Sequence, residues 1–158
     1  MVQPTLTRII RVNNMITNRI IMTFNNIKTM SITPSTNVTV FPLPEHSVDE
    51  TILIKIAGNQ EEISLTAKMT DGTSLITGGI TTPKTTIDGQ VQEILDHVFP
   101  IGIDSEFEFA FGDYQKDVMV TSMPFNMDDA TPEVMTITVN LVVGMSVVSI
   151  NDVADDDA

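Results

Sequence analysis

Two acidic side chains, Glu106 and Glu108, are the best candidates in this sequence for acid–base chemistry. They alternate with Phe107, Phe109 and Phe111, a spacing that on a β-strand puts the rings on one face and the carboxylates on the other. The two Cα atoms would lie about 6.5 Å apart, within the range of carboxyl separations in glycosidases. The chain has one Tyr and no Trp, however, so the aromatic platforms typical of sugar sites are missing. We expect a solvated or functional acidic face opposite a phenylalanine core.

The other residues that could do chemistry form no recognisable catalytic or metal-binding pattern. His46, which lies near Glu45 and Asp49, and His97 are the only histidines. The aspartates at 128–129 and at the C-terminus lack the alternating spacing and the glycine of a calcium loop. The chain has no cysteine, which excludes disulfides and Cys-ligated metals. The sequence therefore predicts a protein that is not an enzyme and has no catalytic, cofactor-binding or metal-binding residues.

Charge is distributed unevenly along the chain. Residues 1–44 contain four basic residues and no acidic one, which gives +4, whereas residues 45–158 contain four basic and 21 acidic residues, which gives −17. An excess of carboxylates disfavours tight binding to nucleic acid or to anionic membranes, because both present negative charge. No stretch of the sequence reaches the roughly 20 apolar residues of a membrane span. Solubility alone is an alternative explanation for this acidity.

Short segments rich in Ile, Val and Thr predict a mainly β fold. We expect an antiparallel β-sandwich or barrel with one packed helix, formed by a single domain over residues 1–150. Its first 44 residues would form basic strands, and residues 70–86 would form a long Gly/Thr loop, either interactive or mobile. A hairpin is expected around Gly58-Asn59. Residues 151–158 hold four Asp and predict an acidic, disordered tail.

One amphipathic helix is predicted over residues 86–99. Its apolar positions recur at helical spacing and form one stripe: Ile87, Val91, Ile94, Leu95 and Val98. Thr85 and Asp88 fit a capping signal at its start, and Pro100 ends it. Because the stripe must cover a sheet or a neighbouring subunit, we expect Ile94 and Leu95 to be buried.

The run from Thr51 to Gly144 resembles the tail-tube superfamily of tailed viruses, which includes tube, distal-tail and baseplate hub proteins. The resemblance lies in the order of a hairpin, a long Gly/Thr loop, the helix TIDGQVQEILDHVFP and paired strands that close with PEVMTITVNLVVG. It implies a structural virion protein, assembled in the host cytoplasm and located in the tail. It also implies hexameric rings that stack into a tube and contact other tail proteins. DNA would pass through this tube without tight binding.

The resemblance implies an acidic lumen, and the acidic strand positions are the candidates for its lining: Glu61, Glu62, Glu106 and Glu108. The basic N-terminal third would suit head-to-tail contacts between identical subunits, for which Arg8 and Arg11 are candidates. Two alternatives remain open. The chain could be a baseplate or distal-tail adaptor that forms a single ring, or another non-enzymatic β-sandwich module that binds a ligand.

Overall fold

The computed structural model describes residues 2–41, 52–100, 102, 105–128 and 131–144. Nine strands and one helical segment follow one another along these ranges. The strands are β1 Thr5–Val12, β2 Met15–Thr23, β3 Ile27–Phe41, β4 Ile52–Thr70, β5 Ile76–Gly78, β6 Glu106–Phe111, β7 Tyr114–Ser122, β8 Phe125–Asp128 and β9 Thr131–Val143. The helix α1, Ile87–Glu93, continues directly into a single π-helical turn, Ile94–Val98.

All nine strands belong to one antiparallel sheet, in the order β3-β4-β9-β7-β6-β1-β2-β5, and β8 pairs with β9 beside this path. The prediction of a mainly β, antiparallel fold with one packed helix is confirmed. Only residues 24–26 separate β2 from β3, although these strands lie near opposite margins of the sheet. The sheet must therefore curl until its two margins approach each other at this link. Lys68 in β4 donates a backbone hydrogen bond to the Asn26 carbonyl there.

Tight turns join the strands where the sequence supplies the right residues. Asn13 and Asn14 both have positive φ, which is the conformation of a type I′ hairpin turn between Val12 and Met15. The predicted hairpin at Gly58-Asn59 is wrong, because β4 runs through both residues as one strand. Its pairing with β3 shifts register between Thr36 and Val38, beside these residues. The glycine accompanies a bulge instead of a turn.

One face of the sheet and the helix enclose a single apolar core. The core contains side chains from all the long central strands, among them Leu6, Met22, Ile63, Leu65, Phe107, Phe109, Val118, Ile137, Val139 and Leu141. Phe107 and Phe109 are buried as the alternation predicts, but Phe111 is 36% exposed at the end of its strand. The expectation that all three phenylalanine rings lie in the core is therefore wrong for Phe111.

The helical segment buries a narrower face than the sequence predicts. Ile94 and Val98 are fully buried, which confirms the first of the two predicted anchors, but Leu95 is 36% exposed. The prediction for Leu95 is wrong because the buried face includes Gln90 and Glu93, so that Leu95 falls at its margin. The backbone amide of Phe99 donates to the Ile94 carbonyl, which is the i+5 to i hydrogen bond of a π turn. This wider turn changes the direction in which the last side chains of the segment point.

The helix start lies one residue later than the capping signal suggested. Thr86, not Thr85, is the N-cap, and its hydroxyl accepts a hydrogen bond from the Gly89 amide. Asp88 lies in the first turn, where its negative charge is favourable. Among the described helices, none is long and apolar enough to cross a membrane.

The long loop predicted at 70–86 is present in the structure but fixed at several points. It contains the short strand β5, and it buries Leu75 and Ile76 in the core. Gln90 ties its two ends together, because its Nε2 donates to the carbonyls of Thr70 and Thr85. These contacts attach the segment to the core and to the helix. The predictions for His46 and for the tail at 151–158 lie outside the described residues.

Candidate functional site

The face of the sheet opposite the core is the candidate functional surface, and we call it the polar face. Cross-strand pairs run across it from Thr33 through Glu62 and Val142 to Met119, and from Glu106 through Ile9 to Arg19. Met119 and Glu106 each lie one residue beyond the paired Val118 and Phe107, so the two runs form one row. Directly paired residues of antiparallel strands point to the same side of the sheet. The structure therefore brings three of the four predicted acids, Glu62, Glu106 and Glu108, to this one face.

Glu106 is held in an ion pair by Arg11. The Arg11 Nε and Nη2 atoms donate to the two carboxylate oxygens of Glu106, at 2.8 and 3.3 Å. Strand β1 lies beside β6, so the ion pair joins neighbouring strands. About one-third of the Arg11 side chain is exposed to solvent. A guanidinium that meets both oxygens of a carboxylate fixes the geometry of both side chains. One of the predicted lumenal acids is thus neutralised within its own chain.

Glu108 faces another acid instead. It lies directly opposite Asp117 of β7, and the two residues are joined by the hairpin that turns at Gly112-Asp113. Like charges at directly opposed positions destabilise a sheet, so this pair of acids does not stabilise the hairpin. Asp117 was missed by the sequence prediction. Counting outward from the two-residue turn at Gly112-Asp113 would have found it, because Phe111 pairs with Tyr114 and the register then follows.

Glu61 lies apart from the other three predicted acids. It precedes Glu62 on β4, so its side chain points to the opposite face of the sheet. Its charge lies near Tyr114: burial first, and then the negative charge of Glu61, raise the pKa of the Tyr114 hydroxyl above its usual value. The Lys116 ammonium stands 5.6 Å from the centre of the same ring. Glu61 therefore belongs to the rim of the core and not to the polar face.

Arg8 also points toward the core side, and it supports the helix. Its Nη1 donates to the His97 carbonyl at 2.7 Å, next to the end of the π turn. Burial lowers the pKa of the Arg8 guanidinium, and its Nε atom is buried without a hydrogen-bond partner among the residues that the structure describes. A cation at the C-terminal end of a helix is favourable for the helix dipole. Both arginines that the sequence suggested for contacts between subunits are thus engaged inside the chain.

A groove of about 390 Å³ opens on the polar face where β3, β4, β9 and β7 lie side by side. Its walls carry hydroxyl and amide groups, and Glu62 is the one acidic residue among the described residues that line it. Asn140 organises the floor, because its side chain accepts from the Ser64 hydroxyl at 3.0 Å and donates to the Ser122 hydroxyl at 2.8 Å. The pairing of β7 with β9 shifts register between Val120 and Ser122, next to the groove.

The described residues contain no group of three or more His, Asp or Glu side chains that could hold a metal ion. The His97 side chain is exposed, and it is the backbone carbonyl of this residue that makes the contact with Arg8. What the arrangement offers chemically is a set of hydrogen-bonding groups and charges on an open face.

No family model matches the chain, and no curated protein matches it. Among solved structures, it is similar to a chain from the tail of an empty GTA particle, determined with helical refinement and C6 symmetry. The identity is 14% and the TM-score 0.46, over 89% of this chain and 92% of that chain. A chain from the virion of a native gene transfer agent particle gives the same identity and coverage, with a TM-score of 0.45. Because both TM-scores lie below 0.5, we argue function from the residues of this chain.

Proposed function

We propose that this protein is a structural subunit of a virion tail, which forms hexameric rings that stack into a tube and conduct DNA. One observation carries the proposal: β3 is 15 residues long, lies at a margin of the sheet and pairs with β4 alone in the described part of the chain. A long strand with an unpaired edge is a template for another chain, and soluble monomers usually cover or shorten such edges.

The β3–β4 ribbon supports the same proposal. In the described part of the chain, β9 pairs with β4 along Glu62–Thr70. The pairing of β3 with β4 continues beyond this, from Thr36 as far as Phe41 and Ile52. The outer part of the ribbon is therefore two-stranded. A two-stranded ribbon is marginally stable in water unless it packs against something else. A neighbouring subunit would supply that packing.

The opposite margin of the sheet is different, and the difference favours a ring. There the described pairing of β5 with β2 covers Ile21 and Met22, and the start of β2 from Met15 extends beyond β5. Two unlike margins allow a head-to-tail contact, in which one margin of each subunit meets the other margin of the next. Repeated contacts of this type close into rings when the rotation between subunits permits it.

Glu108 and Asp117 are the groups that we assign to the lumen. They keep two negative charges opposed on an open face, at a cost to the sheet. In a ring these charges would repeat around the central channel and repel phosphates within about 8–10 Å at physiological salt. DNA would then pass this part of the channel without tight binding.

Electron microscopy and light scattering of the purified protein test the assembly. We expect rings or tubes that contain multiples of six subunits. A protein that stays monomeric at high concentration and moderate salt would contradict the proposal.

The conduit is tested separately by a gel shift with duplex DNA at low salt. The assembled protein should leave the DNA free, whereas the Glu108→Lys/Asp117→Lys variant should assemble and bind DNA in a salt-sensitive way. The matched control is Asp88→Lys/Asp96→Lys, which changes the net charge equally on exposed helix positions. Equal DNA binding by both variants would show that net charge, and not the polar face, decides the result.

A further inference from the structure

Arg19 is a cation held in place on the polar face without an ion pair among the described residues. It lies on β2 opposite Ile9, its side chain is exposed, and its backbone amide is fixed by the Asn18 carboxamide oxygen at 2.9 Å. The chain at Gly79 packs against its carbonyl so closely that a Cβ there would come within 2.3 Å. The backbone of Arg19 is therefore well fixed, while its guanidinium is available.

Glu62 is the complementary charge. It is exposed at the groove on the polar face, and its carboxylate accepts a hydrogen bond from the Gln60 carboxamide at 3.1 Å. The hydroxyl groups of Ser31 and Thr33 line the same groove on the margin strand β3. A carboxylate among neutral hydroxyl acceptors is a suitable receptor for a guanidinium, which has five N–H donors and no acceptor.

The register places these two groups level with each other, each one strand in from an opposite margin of the sheet. Arg19 pairs with Ile9 on the β2 side, and Glu62 pairs with Thr33 on the β3 side, within the same cross-strand row. Within one chain, the strands β9, β7, β6 and β1 lie between β4 and β2 along the sheet. If the sheet of a second copy continues this row past β3, its Arg19 stands two to three strand spacings from Glu62, or roughly 10–15 Å between Cα atoms. Two extended side chains lying along the face can close that separation.

We propose that the groove around Glu62 receives Arg19 of a second copy of this chain, so that the joint between subunits carries an ion pair. This inference rests on the proposed self-assembly and adds the residues that set its register. It assigns the basic half of the contact to the exposed Arg19 on β2, next to the margin strand β5, because Arg8 and Arg11 are engaged within the chain. Because the pair joins unlike margins, it favours the head-to-tail contact over a symmetric one.

Charge reversal tests the pair. In sedimentation or light scattering over a concentration series, Arg19→Glu and Glu62→Arg should each raise the concentration for half-assembly about tenfold or more, because each places like charges at the joint. The combined Arg19→Glu/Glu62→Arg variant should restore assembly toward that of the unaltered protein. Circular dichroism and thermal melts should match for all variants, since both side chains are exposed.

Matched controls separate this pair from a general charge effect. Lys68→Glu is also an exposed reversal on the polar face, and Asp113→Arg is an exposed reversal at the β6–β7 turn. Neither should be rescued by the partner reversal at residue 62 or 19. If the unaltered protein never assembles, the proposed function fails. If it assembles and both single reversals assemble equally well, or the double variant is no better than the singles, the pair alone is wrong.

Discussion

The two faces of strand β6 differ in what covers them, although the same six residues build both. On one face Phe107 and Phe109 lie in the core, with 3% and 1% of their surface exposed. On the other face Glu106 and Glu108 are only partly covered, and one of them opposes a second acid. The first face is closed by the helix and the curled sheet, whereas the second remains open to solvent.

This difference separates stability from function within one sheet. Burial of apolar surface is the main favourable term in folding, and here it is confined to the core side. The polar face instead carries hydroxyl pairs such as Thr66 with Thr138, and like charges in opposed positions, as Glu108 and Asp117 are. A face that contributes little to folding is free to meet another molecule.

The largest expected effect contrasts two adjacent residues of β6. Phe109→Ala should lower the free energy of unfolding by about 3–5 kcal/mol, because it leaves a cavity in a packed core. Glu108→Ala should change it by no more than about 0.5 kcal/mol, since the residue lies on the polar face. Urea melts of the two variants measure both values. A loss above 2 kcal/mol for Glu108→Ala would show that the polar face is part of the folding unit.

Such a contrast can be predicted from sequence because alternation on a strand is a local property. The spacing of Phe107 and Phe109 is enough to assign them to the core, and the Asn13-Asn14 pair is enough to place a turn. The mainly β class and the position of the helix follow from the same kind of pattern.

What the sequence did not predict depends on pairing over long distances. The ion pair of Arg11 with Glu106 joins residues that are 95 positions apart, and it depends on β1 lying beside β6. The opposition of Glu108 and Asp117 depends on the register of a hairpin. The exposure of Leu95 depends on a π turn and on the burial of Gln90, and hydrophobic periodicity reports neither of these.

A second contrast tests that last difference in the helix. Ile94→Ala should cost about 2–5 kcal/mol of stability, because Ile94 is fully buried. Leu95→Ala should cost less than about 1 kcal/mol, because more than a third of its surface already faces solvent. Thermal and urea melts of both variants give the comparison. Equal losses would place the helix in a different rotation from the one described here.

The smallest expected effect concerns the ion pair of Arg11 with Glu106, which lies on the polar face but resembles a structural contact. A double-mutant cycle with Arg11→Gln and Glu106→Gln should give a coupling energy of about 0.2–1 kcal/mol, since solvent screens a pair of this exposure. The matched cycle of Arg11→Gln with Glu108→Gln should give a smaller value, because Glu108 opposes Asp117 and not Arg11. Repeating the first cycle in 1 M salt should reduce its coupling. A coupling above 2 kcal/mol that persists in salt would mean that this part of the polar face is closed to solvent, and it would no longer contrast with the core.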